Sequence, residues 1–144
     1  MHPINKHPLV KRYIESNHFG KLLDFNFTII QPGNGLYECE IQKKHLATPH
    51  AAHGGVVATL LDSCMGVGAL SLVCSSQKVV STLEMKVSFL RAVKPGDKII
   101  VKSTCLKRGN NILHMEASMY NQDDEVLAKS SGTFNAFPKE KAGY

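Results

Sequence analysis

The fold is decided by residues 53–77, which read HGGVVATLLDSCMGVGALSLVCSSQ. From Gly54 to Val73 the apolar residues surround a helical axis on nearly every side, and the only charged residue is Asp62. A helix without a polar face must be enclosed by the rest of the protein. Because an aspartate in the middle of a bilayer would be costly, we interpret the stretch as the buried helix of a globular protein, without a membrane partner.

Length and composition indicate an ordinary globular protein. The chain has 144 residues, of which 43% are hydrophobic and 20% are charged, and this suits a single domain over residues 1–144. These values exclude a disordered tail and a collagen-like repeat. The first residues lack the apolar core of a signal peptide, and the four cysteines form no C-x-x-C pair. We therefore expect a cytoplasmic protein with reduced cysteines in its core.

The segments on either side of this helix have the alternating pattern of strands, separated by turns rich in glycine, proline and asparagine. The order is β-β-α-β-β-β-β behind a short helix. It predicts an α+β fold in which one long central helix is wrapped by a largely antiparallel sheet. Residues 45–52 show no period and are expected to be irregular. The expected elements are a short amphipathic helix at 8–17, the long helix at 54–73, and strands at about 25–29, 37–41, 79–89, 99–105, 113–119 and 125–137.

Asp62 is the residue of the long helix with the clearest chemical potential. A carboxylate inside an apolar helix costs free energy unless it is paired, hydrated or used in chemistry. A hydroxyl of Thr59 or Ser63 could cap it, in which case Asp62 would be structural. Otherwise it is a candidate base or nucleophile. Cys64 lies about 200° around the helix from Asp62, so we do not expect a cysteine nucleophile on the same face.

Gly54 and Gly55 begin the helix, where backbone N–H groups lack intrahelical partners and the dipole favours negative charge. Such a terminus can polarise a carbonyl group, and glycine allows a ligand to approach closely. On its own the pair could simply end the preceding loop. Gly55 and Asp62 share a helix face but lie roughly 10 Å apart along the axis, so one small reacting group cannot touch both. Two such helices related by a two-fold axis could, and the spacing suggests a dimer with composite sites.

The helix start and the strand after the helix resemble a known family. His53-Gly54-Gly55 followed by Asp62, and the strand TLEMKVSFLR at residues 82–91, resemble the hotdog-fold acyl-CoA thioesterases, in particular the PaaI-like branch named for phenylacetate catabolism. The resemblance covers a core of about residues 24–137. It implies a hotdog fold and a homodimer that pairs into a dimer of dimers. It also implies hydrolysis of an acyl- or aryl-CoA thioester to free acid and coenzyme A, with no cofactor beyond the coenzyme A of the substrate.

The resemblance implies a role for each matching residue. Asp62 would be the general base or nucleophile at the thioester carbonyl, and Thr82 would support the attacking water. Gly55 of the partner subunit would polarise the carbonyl through its amide. Gly54 would let the substrate approach closely, and His53 would orient the loop and the helix start. The phosphates of coenzyme A would meet three basic residues, Arg91, Lys107 and Arg108.

One position departs from the family pattern. Members often carry Asn or Gln six residues before the motif histidine, where the side chain helps to place water or the carbonyl, but here that position is Ala47. Thr48 or His50 could supply the missing polar group, and both are substrate-binding candidates. Ala47 also keeps open a non-catalytic module that binds acyl-CoA or acyl-carrier protein. A hotdog dehydratase is a weaker alternative, because Asp62 occupies the thioesterase-like position.

Histidine spacing and net charge suggest two further site types. His45, His50 and His53 are spaced H-x4-H-x2-H, but no nearby cysteine or carboxylate completes a ligand set, so no metal site is expected. The net charge is +5, and residues 78–108 hold eight basic and two acidic residues. This excess suits a polyanionic ligand, or simply a solvated strand face. Interleaved surface aromatics are missing and Phe89 is expected on the apolar face of its strand, so we expect no nucleic-acid partner.

Overall fold

The chain folds into three α-helices and eight strands, and the computed structural model describes all of residues 1–144. The helices are α1 (Pro8–Ser16), α2 (His18–Leu22) and α3 (Gly54–Val73). The strands are β1 (Asn26–Gln31), β2 (Asn34–Glu40), β3 (Leu46–Thr48), β4 (Ala51–Ala52), β5 (Lys78–Phe89), β6 (Lys98–Arg108), β7 (Ile112–Tyr120) and β8 (Val126–Pro138).

Six of the strands form one antiparallel sheet that packs against α3. Their order is β1-β2-β6-β7-β8-β5, so β1 and β5 are the two edges. β3 and β4 form a separate two-stranded hairpin that leads into α3. This arrangement confirms the predicted α+β hotdog fold, with its long central helix and short N-terminal helix. The second short helix, α2, was not predicted.

The sheet encloses α3 because the helix is apolar on all sides. Buried side chains of α3 form one core with inward-facing residues of the sheet strands and of α1. Two serine hydroxyls fasten the helix to the sheet. Ser103 Oγ donates to the Cys64 carbonyl oxygen at 2.8 Å and accepts from the Gly35 N–H at 3.1 Å. Ser71 Oγ accepts from the Gly33 N–H at 2.8 Å. These contacts fix how far α3 is rotated and which residues face β5.

Residues 54–76 have a length and composition that would also allow them to cross a membrane. In this fold, 61% of their most apolar stretch is buried inside the protein. The sheet therefore supplies the apolar surroundings that the helix requires.

One local prediction was wrong and another held only in part. Residues 45–52 are not irregular but contain the β3–β4 hairpin, which is closed where the His53 N–H donates to the His45 carbonyl oxygen at 2.8 Å. The buried His45 ring anchors the start of the hairpin, since its Nδ1 accepts from the Gln42 N–H at 2.9 Å and its Nε2 donates to the Leu23 carbonyl oxygen at 2.8 Å.

Phe89 lies on the apolar face of β5 as predicted, since Met85 and Val87 on the same face pack against the core and its ring meets Gly54 of α3. It is nevertheless 58% exposed, because it is the last residue of an edge strand.

The close approach of α3 to β2 predicts that a methyl group on Gly35 is not tolerated. Its Cβ would lie 2.7 Å from the Cys64 carbonyl oxygen, a backbone atom that moves only if the helix moves. Overpacking of this kind costs about 1–3 kcal/mol. We expect Gly35→Ala to lower the free energy of unfolding in urea by that amount.

Gly66→Ala is the matched control for this measurement. Its Cβ would meet only a ring carbon of Phe134 at 3.6 Å, an ordinary contact. Alanine favours a helix over glycine by up to about 1 kcal/mol, so this variant should be as stable as wild type or more stable. Wild-type stability in Gly35→Ala would contradict the close approach.

Titratable groups buried in the core predict alkaline destabilisation. Three cysteines are buried and Cys105 is half-buried, all as free thiols. Burial raises the pKa of the Cys64 thiol from 9.0 to about 12. Burial also raises the pKa of the Tyr37 hydroxyl far above its ordinary value. In the unfolded chain these groups titrate normally, so the unfolded state loses protons first. Their contribution to stability is complete below pH 9 and is lost as the pH rises toward 12.

We expect the free energy of unfolding to fall by about 2 kcal/mol between pH 8 and pH 10.5 through Cys64 alone. Urea titrations at a series of pH values measure this slope. Cys64→Ala should remove this share of the slope, whatever its own stability, and leave the part that comes from the other buried thiols, such as Cys39, whose pKa burial raises to about 11. Cys105→Ala should leave most of the slope in place. The same slope in wild type and Cys64→Ala would show that Cys64 is not the responsible group.

Candidate active site

Asp62 lies on the side of α3 that meets β5, and it is half-buried rather than enclosed. Its Oδ1 accepts a hydrogen bond of 2.7 Å from the Thr82 hydroxyl. The caps that the sequence offered do not form, since Thr59 Oγ1 donates to the Gly55 carbonyl oxygen instead. The second oxygen of Asp62 makes no hydrogen bond within the chain. The structure thus brings together the two residues to which the resemblance assigned the activation of water.

An apolar cavity of about 290 Å³ opens beside this pair. Asp62 and Thr82 line one end of it, and Leu70 and Val79 line it further along the same two elements. The eight residues from Asp62 to Leu70 correspond to about 12 Å along the helix axis. Predominantly apolar cavities with a few polar groups are typical of small-molecule sites. This one can hold an acyl or aryl group with its reacting carbon beside a carboxylate.

α3 begins at Gly54 as predicted, but the free amide at its start is not the predicted one. His53 caps the helix, because its Nδ1 accepts from the Gly55 N–H at 2.7 Å. The Gly55 amide, which was predicted to polarise a carbonyl, is therefore occupied. The Gly54 N–H makes no hydrogen bond within the chain, and Gly54 is exposed beside the Phe89 ring. The free donor at this positive helix end is thus the Gly54 amide.

The two halves of this chemistry are separated within one chain. Gly54 and Asp62 are eight residues apart, or about 12 Å along the axis of α3. A single thioester carbonyl therefore cannot contact both the free amide and the carboxylate of one chain. This agrees with the spacing argument from the sequence.

The other candidates near the helix start belong to two neighbouring features. Thr48 and His50 are exposed on the β3–β4 hairpin, where Thr48 Oγ1 accepts from the His50 N–H at 3.4 Å. Neither lines the cavity beside Asp62. Arg91 follows β5 and lines a shallow groove together with Gly54 and Phe89. The structure therefore joins Arg91 to the helix start.

Lys107 and Arg108 are not joined to Arg91. They end β6, and the strand register aligns Arg108 with Thr82 through two intervening strands. Arg108 and Thr82 are therefore three strand spacings apart, which is about 14 Å. Phe89, next to Arg91, lies seven residues or about 23 Å further along β5. One chain therefore has its basic candidates at opposite ends of the sheet.

Sequence reasoning missed part of the cavity lining. Leu9 and Tyr13 of α1 contribute to it, as do Ala142 and Tyr144. The amphipathic period of α1 indicated that one of its faces would be buried, but no pattern related Tyr144 to a site. No three His, Cys, Asp or Glu side chains lie close enough together to hold a metal ion.

Known proteins share both the sequence pattern and the fold. A model of the thioesterase superfamily matches residues 50–128. Human acyl-coenzyme A thioesterase 13 is 21% identical over 117 residues, which cover 79% of this chain and 81% of the human protein. The PaaI protein of E. coli, from the phenylacetic acid degradation operon, has a TM-score of 0.85 at 16% identity, over 94% of each chain. A Streptococcus mutans protein with bound acetyl-CoA has a TM-score of 0.70 at 24% identity, over 79% of this chain and 89% of that protein.

At these identities the solved structures establish the hotdog fold alone. The superfamily match is the stronger finding, because it includes the helix start, all of α3 and the edge strand β5 with Thr82. It spans more than half of the residues. This chain belongs to the thioesterase superfamily.

Proposed function

We propose that this chain is an acyl-CoA thioesterase that hydrolyses an acyl- or aryl-CoA thioester to the free acid and coenzyme A. The observation that carries the proposal is the hydrogen bond between Asp62 and Thr82 at one end of an apolar cavity. An acyl group in the cavity brings its carbonyl carbon to the carboxylate. The acetyl-CoA bound to the Streptococcus mutans protein of the same fold supports this class of substrate.

In this proposal Asp62 is the general base. The Thr82 hydroxyl donates its proton to Oδ1, so its lone pairs can accept from a water whose other proton faces Oδ2. Asp62 takes that proton as the water oxygen attacks the carbonyl carbon. The tetrahedral intermediate collapses and breaks the carbon–sulfur bond, and the proton passes from Asp62 to the departing sulfur. Asp62 is assigned as base rather than nucleophile because Thr82 provides a second contact that orients the water.

The amide that polarises the carbonyl would come from a second copy of the chain. β5 is an edge strand whose Leu83 and Phe89 are 57% and 58% exposed, and such an edge calls for a covering strand. In the proposed dimer, two β5 strands pair antiparallel about residue 86, and because the bulge at Leu83 adds one residue, the partner's Phe89 lies opposite Thr82. Because the Phe89 ring lies 3.5 Å from the Cβ position of Gly54, the same pairing carries the partner's helix start toward Asp62.

Each composite site would then combine groups from both subunits. Gly54 of the partner subunit donates its free N–H to the carbonyl oxygen, and the helix dipole stabilises the oxyanion. The partner's Arg91 accompanies that helix start and meets a phosphate of coenzyme A, with Lys107 and Arg108 as more distant candidates. No resident cofactor or metal has a step in this mechanism. The pairing of dimers into a tetramer and the cytoplasmic location stay predictions.

Release of free thiol tests the reaction and its base. A thiol-reactive dye follows turnover of thioesters from acetyl- to palmitoyl-CoA, with phenylacetyl-, benzoyl- and hydroxybenzoyl-CoA included. Asp62→Asn keeps the shape of the side chain but removes the base, so we expect kcat to fall by about 10²- to 10⁴-fold. Thr82→Ala loses one hydrogen bond to a charged group and should cost about 10- to 100-fold. Thr82→Ser keeps the hydroxyl and should stay near wild type.

Two outcomes would contradict the proposal in different ways. Undiminished turnover by purified Asp62→Asn would remove Asp62 from the mechanism. Tight binding of acyl-CoA by the wild type without any thiol release would favour the non-catalytic binding module. In that case Ala47, where relatives often carry a polar residue, becomes the first position to examine, and Ala47→Asn tests whether an amide restores turnover.

Mixed dimers test whether the sites are composite. Asp62→Asn removes the base, and Gly54→Val places a bulky side chain over the free amide, so each homodimer is expected to be inactive. Co-expression of the two variants with different affinity tags yields mixed dimers. In these, one site combines both intact groups, and thiol release should return. Mixed dimers as inactive as the parents would mean that each site is built from a single chain.

A further inference from the structure

The acyl cavity is closed by segments that the superfamily match does not include. That match covers residues 50–128. Four residues that lie outside this range also line the cavity: Leu9, Tyr13, Ala142 and Tyr144. β8 ends at Pro138, opposite Lys78, and Ala142 and Tyr144 follow it. Both residues contribute to the wall of the cavity that begins at Asp62 and Thr82.

Tyr144 is held in place by two contacts with α1. Its hydroxyl shares a hydrogen bond of 2.6 Å with Ser16 Oγ. The guanidinium carbon of Arg12 lies 5.1 Å from the centre of the Tyr144 ring, within the range of a cation–π interaction. We call Arg12, Ser16 and Tyr144 the clasp. The clasp connects the segment that follows β8 to α1, two segments that are distant in sequence.

Next to the clasp, Tyr13 forms a rigid part of the wall. Its hydroxyl accepts from Asn17 Nδ2 at 3.1 Å, and its ring packs 5.9 Å from Phe27, centre to centre. Burial raises the pKa of the Tyr13 hydroxyl, so this group stays neutral at physiological pH. α1 therefore presents a fixed surface, while Tyr144 completes this wall through its side chain, with its backbone N–H donating to the Lys139 carbonyl oxygen at 3.2 Å.

The cavity is small for an acyl-CoA site. Its volume of about 290 Å³ lies at the lower limit of the range of ligand cavities, which is about 300–1,000 Å³. Its length is about 12 Å along α3 between Asp62 and Leu70. A compact aryl or short acyl group fits this space, whereas a long chain needs the volume that the Tyr144 side chain occupies.

We propose that the clasp of Arg12, Ser16 and Tyr144 sets the upper limit on acyl length, so that the protein selects compact acyl groups. The inference rests on the proposed function in that the cavity is taken as the acyl site. It makes Tyr144 a specificity-determining residue for that site, with Arg12 and Ser16 as positioning residues.

Binding in an inactive background separates this inference from the catalytic one. Calorimetry measures the Kd of phenylacetyl-CoA and lauroyl-CoA for Asp62→Asn, with and without Tyr144→Ala. Tyr144→Ala should lower the ratio of the lauroyl-CoA Kd to the phenylacetyl-CoA Kd by about tenfold or more. The reason is that each methylene group buried in an apolar pocket changes affinity by about tenfold or more. Arg12→Ala should shift the ratio in the same direction by less. Tyr144→Phe keeps the ring and should change it least.

Tyr120→Ala is the matched control, because Tyr120 is a half-buried tyrosine on β7 with a comparable contact to Lys102. It should leave the ratio of the two Kd values unchanged. An unchanged ratio in folded Tyr144→Ala would contradict the proposed role of the clasp, and so would a parent protein that already prefers lauroyl-CoA. If the ratio shifts but the wild type releases no thiol, the role of the clasp is supported and the proposed hydrolysis is contradicted. If neither thioester binds, both fail.

Discussion

The structure depends on the enclosure of one helix that has no polar face. α3 can be stable only where the sheet supplies apolar surroundings, and the approach is so close that β2 has Gly35 where any larger side chain would meet the helix backbone. Ser103 then bonds both elements. Once the rotation of α3 is fixed in this way, Asp62 faces the seam with β5, the edge strand, instead of the closed core.

That seam explains how a carboxylate can be both tolerated and useful. At half burial Asp62 keeps access to water, and the Thr82 hydroxyl satisfies one of its oxygens. The apolar cavity begins at the same place, so an acyl group and a water can meet at the carboxylate. No free amide of α3 lies beside Asp62, since the free amide of Gly54 is about 12 Å away at the helix start. The need for that donor is the chemical reason to expect a second subunit.

Sequence reasoning was accurate where a residue's role follows from local pattern. The periodicity of α3 predicted its bounds, and the resemblance paired Asp62 with Thr82 across 20 residues. Sequence reasoning failed where the position of a single side chain in the folded protein decides whether a group is free or exposed. The ring of His53 occupies the Gly55 amide, which the spacing of residues along the chain cannot reveal, and Phe89 is exposed because it ends the edge strand β5. The contact of Tyr144 with the cavity depends on tertiary packing between segments far apart in the chain.

A crystal structure of Asp62→Asn with phenylacetyl-CoA bound would test the proposed site most directly. We expect the phenyl ring to fill the cavity beside α3 and the carbonyl carbon to lie next to the substituted side chain and Thr82. We also expect the carbonyl oxygen to accept a hydrogen bond from Gly54 of the partner subunit across paired β5 strands. A thioester bound away from Thr82, or a carbonyl held by groups of one chain only, would contradict the proposed site.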